Sequence, residues 1–118
     1  MRIALISFEF PPSVAIGGIG TYAFEATRML ALDGYEIEVF AAGKRGEEPA
    51  SEYGVIVHRL DVTTRKEFKK AVIPIFAERN RQRPFNVLES PEYGAEGAGI
   101  KAAFPHIPLV VKLHTAVS

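Results

Sequence analysis

The chain has 118 residues, of which 47% are hydrophobic and 24% charged, with a mean hydropathy of +0.07. That composition is typical of one globular domain with an apolar core and excludes a disordered segment. Fourteen basic residues balance fourteen acidic ones, so the composition predicts no basic surface for nucleic acid. Cysteine is absent, which excludes disulfides, thiolate metal sites and cysteine nucleophiles.

The first residues read MRIALISFEFPP, an apolar run too short for a secretion signal or a membrane span. We therefore expect the protein to be located in the cytoplasm. From the length and composition we expect a single domain over residues 1–118. Residues 3–8 are almost wholly apolar and have no helical period, which predicts a strand buried on both faces.

Residues 21–32 carry apolar side chains at helical spacing, and Gly34 follows as a helix-ending glycine. Residues 36–42 (EIEVFAA) predict a second strand, so the first 42 residues form a strand–helix–strand unit. A polar loop leads to a third strand over residues 55–60. Its direction stays open, because a loop of this length fits a hairpin or a short crossover.

Residues 65–82 have helical spacing, with Pro74 expected to kink or split the helix. A fourth strand over residues 85–89, a small-residue helix over 94–104 and a fifth strand over 109–114 complete the pattern. This order predicts an α/β Rossmann-like open, mostly parallel sheet of about five strands with flanking helices. Because little chain follows the fifth strand, we expect something to cover it: a missing C-terminal domain, another chain or a second copy.

The glycine-rich stretch EFPPSVAIGGIGTYA, residues 9–23, contains a match to the dinucleotide fingerprint G-x-G-x-x-G/A. Two observations disfavour a nicotinamide dinucleotide. Eight residues separate the first strand from the glycines, and the second strand ends in Phe40-Ala41-Ala42 without the acidic residue that binds the ribose. A phosphate or diphosphate at the helix N-terminus is favoured. The alternative is that the glycines serve only a tight turn and close packing.

Polar residues also follow two other predicted strands. Residues 89–94 read ESPEYG after the fourth strand, and His114-Thr115 end the fifth. Because the carboxyl ends of parallel strands meet at one edge, these residues are candidates to contact a ligand. His58 lies within a strand and His106 between two prolines, so both are expected to be structural or solvated.

Together these segments resemble the N-terminal domain of GT-B glycosyltransferases, in particular the large retaining family four and the related glycogen and starch synthases. The matching segments, in family order, are EFPP, GGIGTY, LALDGYEIEVFA, FNVLESPEYGAEG and PLVVKLHTAVS. The resemblance covers nearly the whole chain and implies transfer of a sugar from a nucleoside-diphosphate sugar to an acceptor, which is a glycan, a lipid or a small molecule.

The resemblance also implies roles for particular residues. Backbone N–H groups of Gly17, Gly18, Ile19 and Gly20 would contact the donor diphosphate, whose charge grows as the sugar leaves. His114 would act at the donor sugar by orienting or polarising it. The acceptor-side residues would be Glu92, Tyr93 and Thr115. No metal or cofactor is implied beyond the nucleotide sugar as co-substrate.

The same resemblance implies a second, C-terminal Rossmann domain that holds most of the nucleotide, and 118 residues do not contain it. We therefore expect this chain alone to be inactive, with weak or no affinity for nucleotide sugars. Two other function classes stay open: a standalone Rossmann-like binding or assembly module without catalysis, and an NAD-binding domain.

Overall fold

A computed structural model describes residues 1–10, 18–44, 55–91 and 96–112, without the side chains of residues 18–22, 91 and 112. The strands within these ranges are β1 (Arg2–Ile6), β2 (Glu36–Ala42), β3 (Ile56–Leu60), β4 (Val87–Pro91) and β5 (Leu109–Lys112). The helices are α1 (Gly18–Leu32), α2 (Arg65–Gln82) and α3 (Ala98–Ala103).

The five strands form one sheet in the order β3-β2-β1-β4-β5. Every neighbouring pair is parallel, which confirms the predicted α/β fold. The direction of β3, left open by the sequence, is parallel to β2.

Apolar side chains cover both faces of the sheet because successive residues of a strand point to opposite sides. One buried cluster joins Ala4 and Phe40 of the strands to Phe68 and Phe76 of α2. The other joins Ile3 and Val39, with further strand residues, to Ala23 of α1. Helix α1 therefore covers one face, and α2 and α3 cover the other.

Helix α1 starts at Gly18, three residues before the predicted start. The periodic apolar pattern begins only at Tyr22, so side chains alone do not reveal the first turn. Its end agrees with the prediction: Gly34 has a φ of +93°, and the Tyr35 N–H donates to the Leu30 carbonyl at 3.1 Å. Only glycine takes that φ without strain.

Helix α2 begins with a capping box. Thr64 Oγ1 accepts from the Glu67 N–H at 3.1 Å, and Glu67 Oε1 accepts from the Thr64 N–H at 3.3 Å. Of the two effects predicted for Pro74, a kink or a split, the split does not occur, since the helix runs through Pro74 as one element. Pro74 is exposed, and its ring nitrogen has no N–H to donate to the Lys70 carbonyl.

The buried carboxylate of Glu38 on β2 lies beneath α2. It accepts from Arg79 Nη2 at 2.9 Å and from Arg2 Nη2 at 3.1 Å, and lies 2.8 Å from His58 Nε2. Burial raises the pKa of Glu38, but these partners outweigh it and hold that pKa well below its ordinary value. His58 is thus a structural partner of Glu38, in agreement with the prediction.

Candidate functional site

The candidate site lies at the carboxyl ends of β1 and β4, which are neighbours in the sheet. From β1 the chain continues through α1 to β2 on one side. From β4 it continues through α3 to β5 on the other. The connections after β1 and β4 thus lead to opposite sides of the sheet. In open α/β sheets, such a change of side leaves a crevice between the two connections, and ligands bind there.

Helix α1 begins at this edge with Gly18, Ile19 and Gly20, three of the predicted diphosphate-binding residues. The first N–H groups of a helix have no acceptor within the helix, and the helix dipole favours an anion near them. The first turn contains no acidic residue. The start of α1 can therefore accept a phosphate group through backbone donors.

The segment that leaves β1 is fixed by two side chains up to Phe10. Ser7 Oγ donates to the Glu9 carbonyl at 2.6 Å. Arg59 Nη1, from β3, donates to the Phe10 carbonyl at 3.0 Å. The backbone that leads toward the glycines is therefore held in place as far as Phe10.

Three charged side chains, named here the Arg65 cluster, lie across the crevice. Arg65 Nη2 donates to Glu9 Oε2 at 2.5 Å, and Arg65 Nη1 donates to Glu96 Oε1 at 3.0 Å. The side chains of Glu9 and Glu96 are 8% and 0% exposed. The guanidinium also lies over the Phe8 ring, 4.9 Å from its centroid.

The pKa of Glu96 is raised from its ordinary value of 4.5 to about 7. Burial is the main cause, and the positive charges of Arg65 and Lys69 oppose it only in part. The second oxygen of each carboxylate, Glu9 Oε1 and Glu96 Oε2, has no hydrogen-bond partner among the described residues. One guanidinium therefore serves two buried carboxyl groups.

Gly97, at the start of α3, lies close against the neighbouring strands. Its N–H donates to Ser90 Oγ at 3.3 Å. A Cβ on Gly97 would lie 3.0 Å from Leu109 Cδ1 and 3.3 Å from Ser90 Cβ. The backbone after Glu96 is thus held close against β4 and β5.

Five predicted site residues lie outside the described residues: Gly17, Glu92, Tyr93, His114 and Thr115. Their roles stay predictions.

No sequence pattern predicts a role for Arg65 or Glu96, and Glu9 is predicted only as the start of a loop. The capping box at Thr64 could have located Arg65 in the fold, because it marks this residue as the first of α2.

Two further observations concern only the part of the chain that the structure describes. No group of three or more His, Cys, Asp or Glu side chains is arranged to hold a metal ion there. No helix there combines the length and the apolar composition needed to cross a bilayer. A separate open groove of about 440 Å³, lined by His58, Asp61 and Ile75 among others, follows edge strand β3 on the far side of β2.

Comparisons with known proteins agree with this architecture. The D-inositol 3-phosphate glycosyltransferase of Pseudarthrobacter chlorophenolicus is 28% identical over 134 residues, covering 97% of this chain and 32% of that protein. A structure of sucrose-phosphate synthase from Thermosynechococcus elongatus superposes with a TM-score of 0.75 at 15% identity, over 97% of this chain and 33% of the other. A second structure of that synthase gives 0.68 at 14% identity, over 98% and 64%.

The chain thus spans about a third of the length of the curated relative. The family model described as Glycosyltransferase Family 4 matches residues 16–118, which include the start of α1 and every later element of the sheet. The chain belongs to glycosyltransferase family 4.

Proposed function

We propose that this chain is the N-terminal, acceptor-side portion of a hexosyltransferase that uses a nucleoside-diphosphate sugar as donor. The observation that carries the proposal is the start of α1 at Gly18, at the carboxyl edge beside β1, with no acidic residue in its first turn. Family membership supports the transferase class.

The start of α1 supplies the chemistry that such a reaction requires. As the bond to the sugar breaks, negative charge grows on the departing nucleoside diphosphate. Backbone N–H groups of Gly17, Gly18, Ile19 and Gly20 would stabilise that charge without transferring a proton. Glycine suits these positions because a side chain would hold the diphosphate away from the backbone.

The remaining roles concern residues outside the described ranges, and they follow from the resemblance alone. His114 would orient or polarise the donor sugar, while Glu92, Tyr93 and Thr115 would contact the acceptor. We propose no cofactor and no metal for this chemistry. The proposed location is the cytoplasm, which fractionation of expressing cells tests.

The acceptor is the part of the reaction for which the relatives offer a starting point. Both named relatives concern phosphorylated compounds: one is a D-inositol 3-phosphate glycosyltransferase and the other a sucrose-phosphate synthase. We therefore propose phosphorylated polyols and sugars as the first acceptors to test, before glycans and lipids.

The experiment measures the release of nucleoside diphosphate from UDP-, GDP- and ADP-glucose with each acceptor. The 118-residue chain is compared with the complete polypeptide to which it belongs. We expect release only from the complete polypeptide, because the second domain is needed to hold the nucleotide. Turnover by the isolated chain would contradict the expected inactivity, and no turnover by the complete polypeptide would contradict the transferase itself.

The second candidate function is a binding or assembly module without catalysis. It is favoured by β5, an edge strand of the described sheet, where Val110 and Val111 are 44% and 40% exposed. Neighbouring residues of a strand face opposite sides, so apolar surface is exposed on both faces of this edge. Sedimentation distinguishes the two functions: a stable homodimer of the chain favours assembly, and a monomer favours the portion of a larger enzyme.

A further inference from the structure

Among the described residues, Arg65 links the two sides of the crevice at the carboxyl ends of β1 and β4. One of its partners, Glu9, belongs to the segment that leaves β1 toward the glycines. The other, Glu96, belongs to the segment that returns from β4 into α3. Arg65 itself is the first residue of α2, which follows β3. Three outgoing segments of the sheet therefore meet on one guanidinium.

The Arg65 guanidinium is held by both carboxylates and by an aromatic ring. Its two terminal nitrogens each donate to a different carboxylate, and its face lies on Phe8. Charge-assisted pairs of this kind restrict direction as well as distance. Because both carboxyl groups are buried, water screens the interaction far less than at the surface.

We propose that Arg65 is a positioning residue, which holds the segment leading to the donor glycines and the segment following the acceptor residues in a fixed relation across the crevice. The proposal rests on the proposed function in one respect: residues 17–20 and 92–93 contact donor and acceptor. A change of charge at Glu96 would then affect the segment of Glu9 through Arg65.

The same helix offers a matched comparison. Arg81 of α2 pairs with Glu78, but their side chains are 71% and 52% exposed and belong to one helix. Such exposed pairs contribute little to structure. Arg81→Gln likewise removes a guanidinium–carboxylate pair, but one that does not link two segments of the chain. It is therefore the control for Arg65→Gln.

The experiment follows backbone amide resonances of the 118-residue chain during a pH titration. The pKa of Glu96 is raised to about 7. The positive charges of Arg65 and Lys69 act on Glu96, and Glu9 shares the Arg65 guanidinium with it. The amide of Gly97 reports the Glu96 side of the crevice. The amides of Phe10 and Gly18 report the glycine side.

In the wild type we expect the Phe10 and Gly18 amides to titrate with the same midpoint as Gly97. In Arg65→Gln this response is lost at Phe10 and Gly18 but persists at Gly97. Arg65→Lys, which keeps a cation, retains part of the response, and Arg81→Gln retains all of it. Loss of the midpoint in Glu96→Gln assigns it to Glu96 and not to a histidine.

Two results would overturn the proposal: Phe10 and Gly18 titrate in Arg65→Gln as they do in the wild type, or only Gly97 responds in the wild type. Should Arg65→Gln fail to fold, the near-isosteric Glu96→Gln decides, since unchanged Phe10 and Gly18 amides in that variant also overturn it. The titration contains no nucleotide. Its outcome is therefore separate from that of the transferase assay, and failure of one is distinguishable from failure of the other.

Discussion

Stability should depend on pH through the buried carboxyl group of Glu96. In the unfolded chain this group loses its proton near its ordinary pKa of 4.5, whereas in the folded chain it does so at about 7. Between these values the folded chain holds one proton more than the unfolded chain. The free energy of unfolding therefore falls as pH rises through this interval, and the contribution is fully present only below 4.5.

The magnitude follows from the size of that pKa change. Each pKa unit corresponds to about 1.4 kcal/mol, so a rise from 4.5 to about 7 corresponds to about 3 kcal/mol lost across the interval. The side chain of Glu96 is 0% exposed, so screening by water does not diminish this contribution in the way that it does for surface groups.

Replacement of Glu96 by glutamine removes the titratable carboxyl group and keeps the shape of the side chain. The glutamine carbonyl can accept from Arg65 Nη1, as Glu96 Oε1 does. The amide nitrogen would take the place of Glu96 Oε2, which has no partner among the described residues. An unpaired buried donor costs about 1–3 kcal/mol, so the pH dependence of stability is the decisive quantity and not its absolute value.

The assay is urea unfolding at a series of pH values that spans the interval. We expect the wild-type free energy of unfolding to fall relative to that of Glu96→Gln by about 3 kcal/mol from the acidic to the neutral end. Glu78→Gln is the control, since Glu78 is an exposed carboxylate whose pKa is lowered, and its curve should parallel the wild type. Parallel curves for wild type and Glu96→Gln would refute the reasoning.

Three further predictions concern other parts of the chain. Glu38→Gln should lower the free energy of unfolding by about 3 kcal/mol, because two guanidinium groups lose a buried carboxylate; equal stability in urea would contradict this. Gly97→Ala should cost about 1–2 kcal/mol, since its Cβ would meet Leu109 Cδ1 at 3.0 Å; an unchanged melting temperature would show that Leu109 yields freely. In the complete polypeptide, Gly18→Val should abolish transfer, and His114→Ala should lower kcat more than donor affinity. An equal loss of melting temperature in both variants would instead indicate that they act through packing.

Elements with a strong local pattern were predictable to the residue. The bounds of β2 and α2 agree with the prediction. The run EIEVFAA marks both ends of β2, and the cap at Thr64 marks the start of α2. The predicted strands over residues 3–8 and 85–89 instead lie at Arg2–Ile6 and Val87–Pro91. The fifth strand starts at Leu109 as predicted and is described to Lys112. In such apolar runs the register against a neighbouring strand decides where pairing stops, and that is not a local property.

Long-range contacts were not predictable. Arg65 is 56 residues from Glu9 and 31 from Glu96, and no local pattern links residues at those separations. The direction of β3 was not predictable either, since the loop after β2 is long enough for a hairpin or a crossover. The start of α1 is a different case: glycines carry no side-chain pattern, so its first turn is visible only in the backbone.

The central claim is that the start of α1 binds the diphosphate of a sugar donor, and the amide spectrum of the chain tests it most directly. The chain is titrated with UDP, GDP and ADP at millimolar concentrations, with inorganic phosphate as a further probe. We expect the Gly18 and Gly20 amides to shift with all three nucleotides, because the diphosphate is the group they share, while Gly34 at the other end of α1 stays unchanged. A response to only one base, or no response of Gly18 and Gly20 in the complete polypeptide either, would contradict the claim.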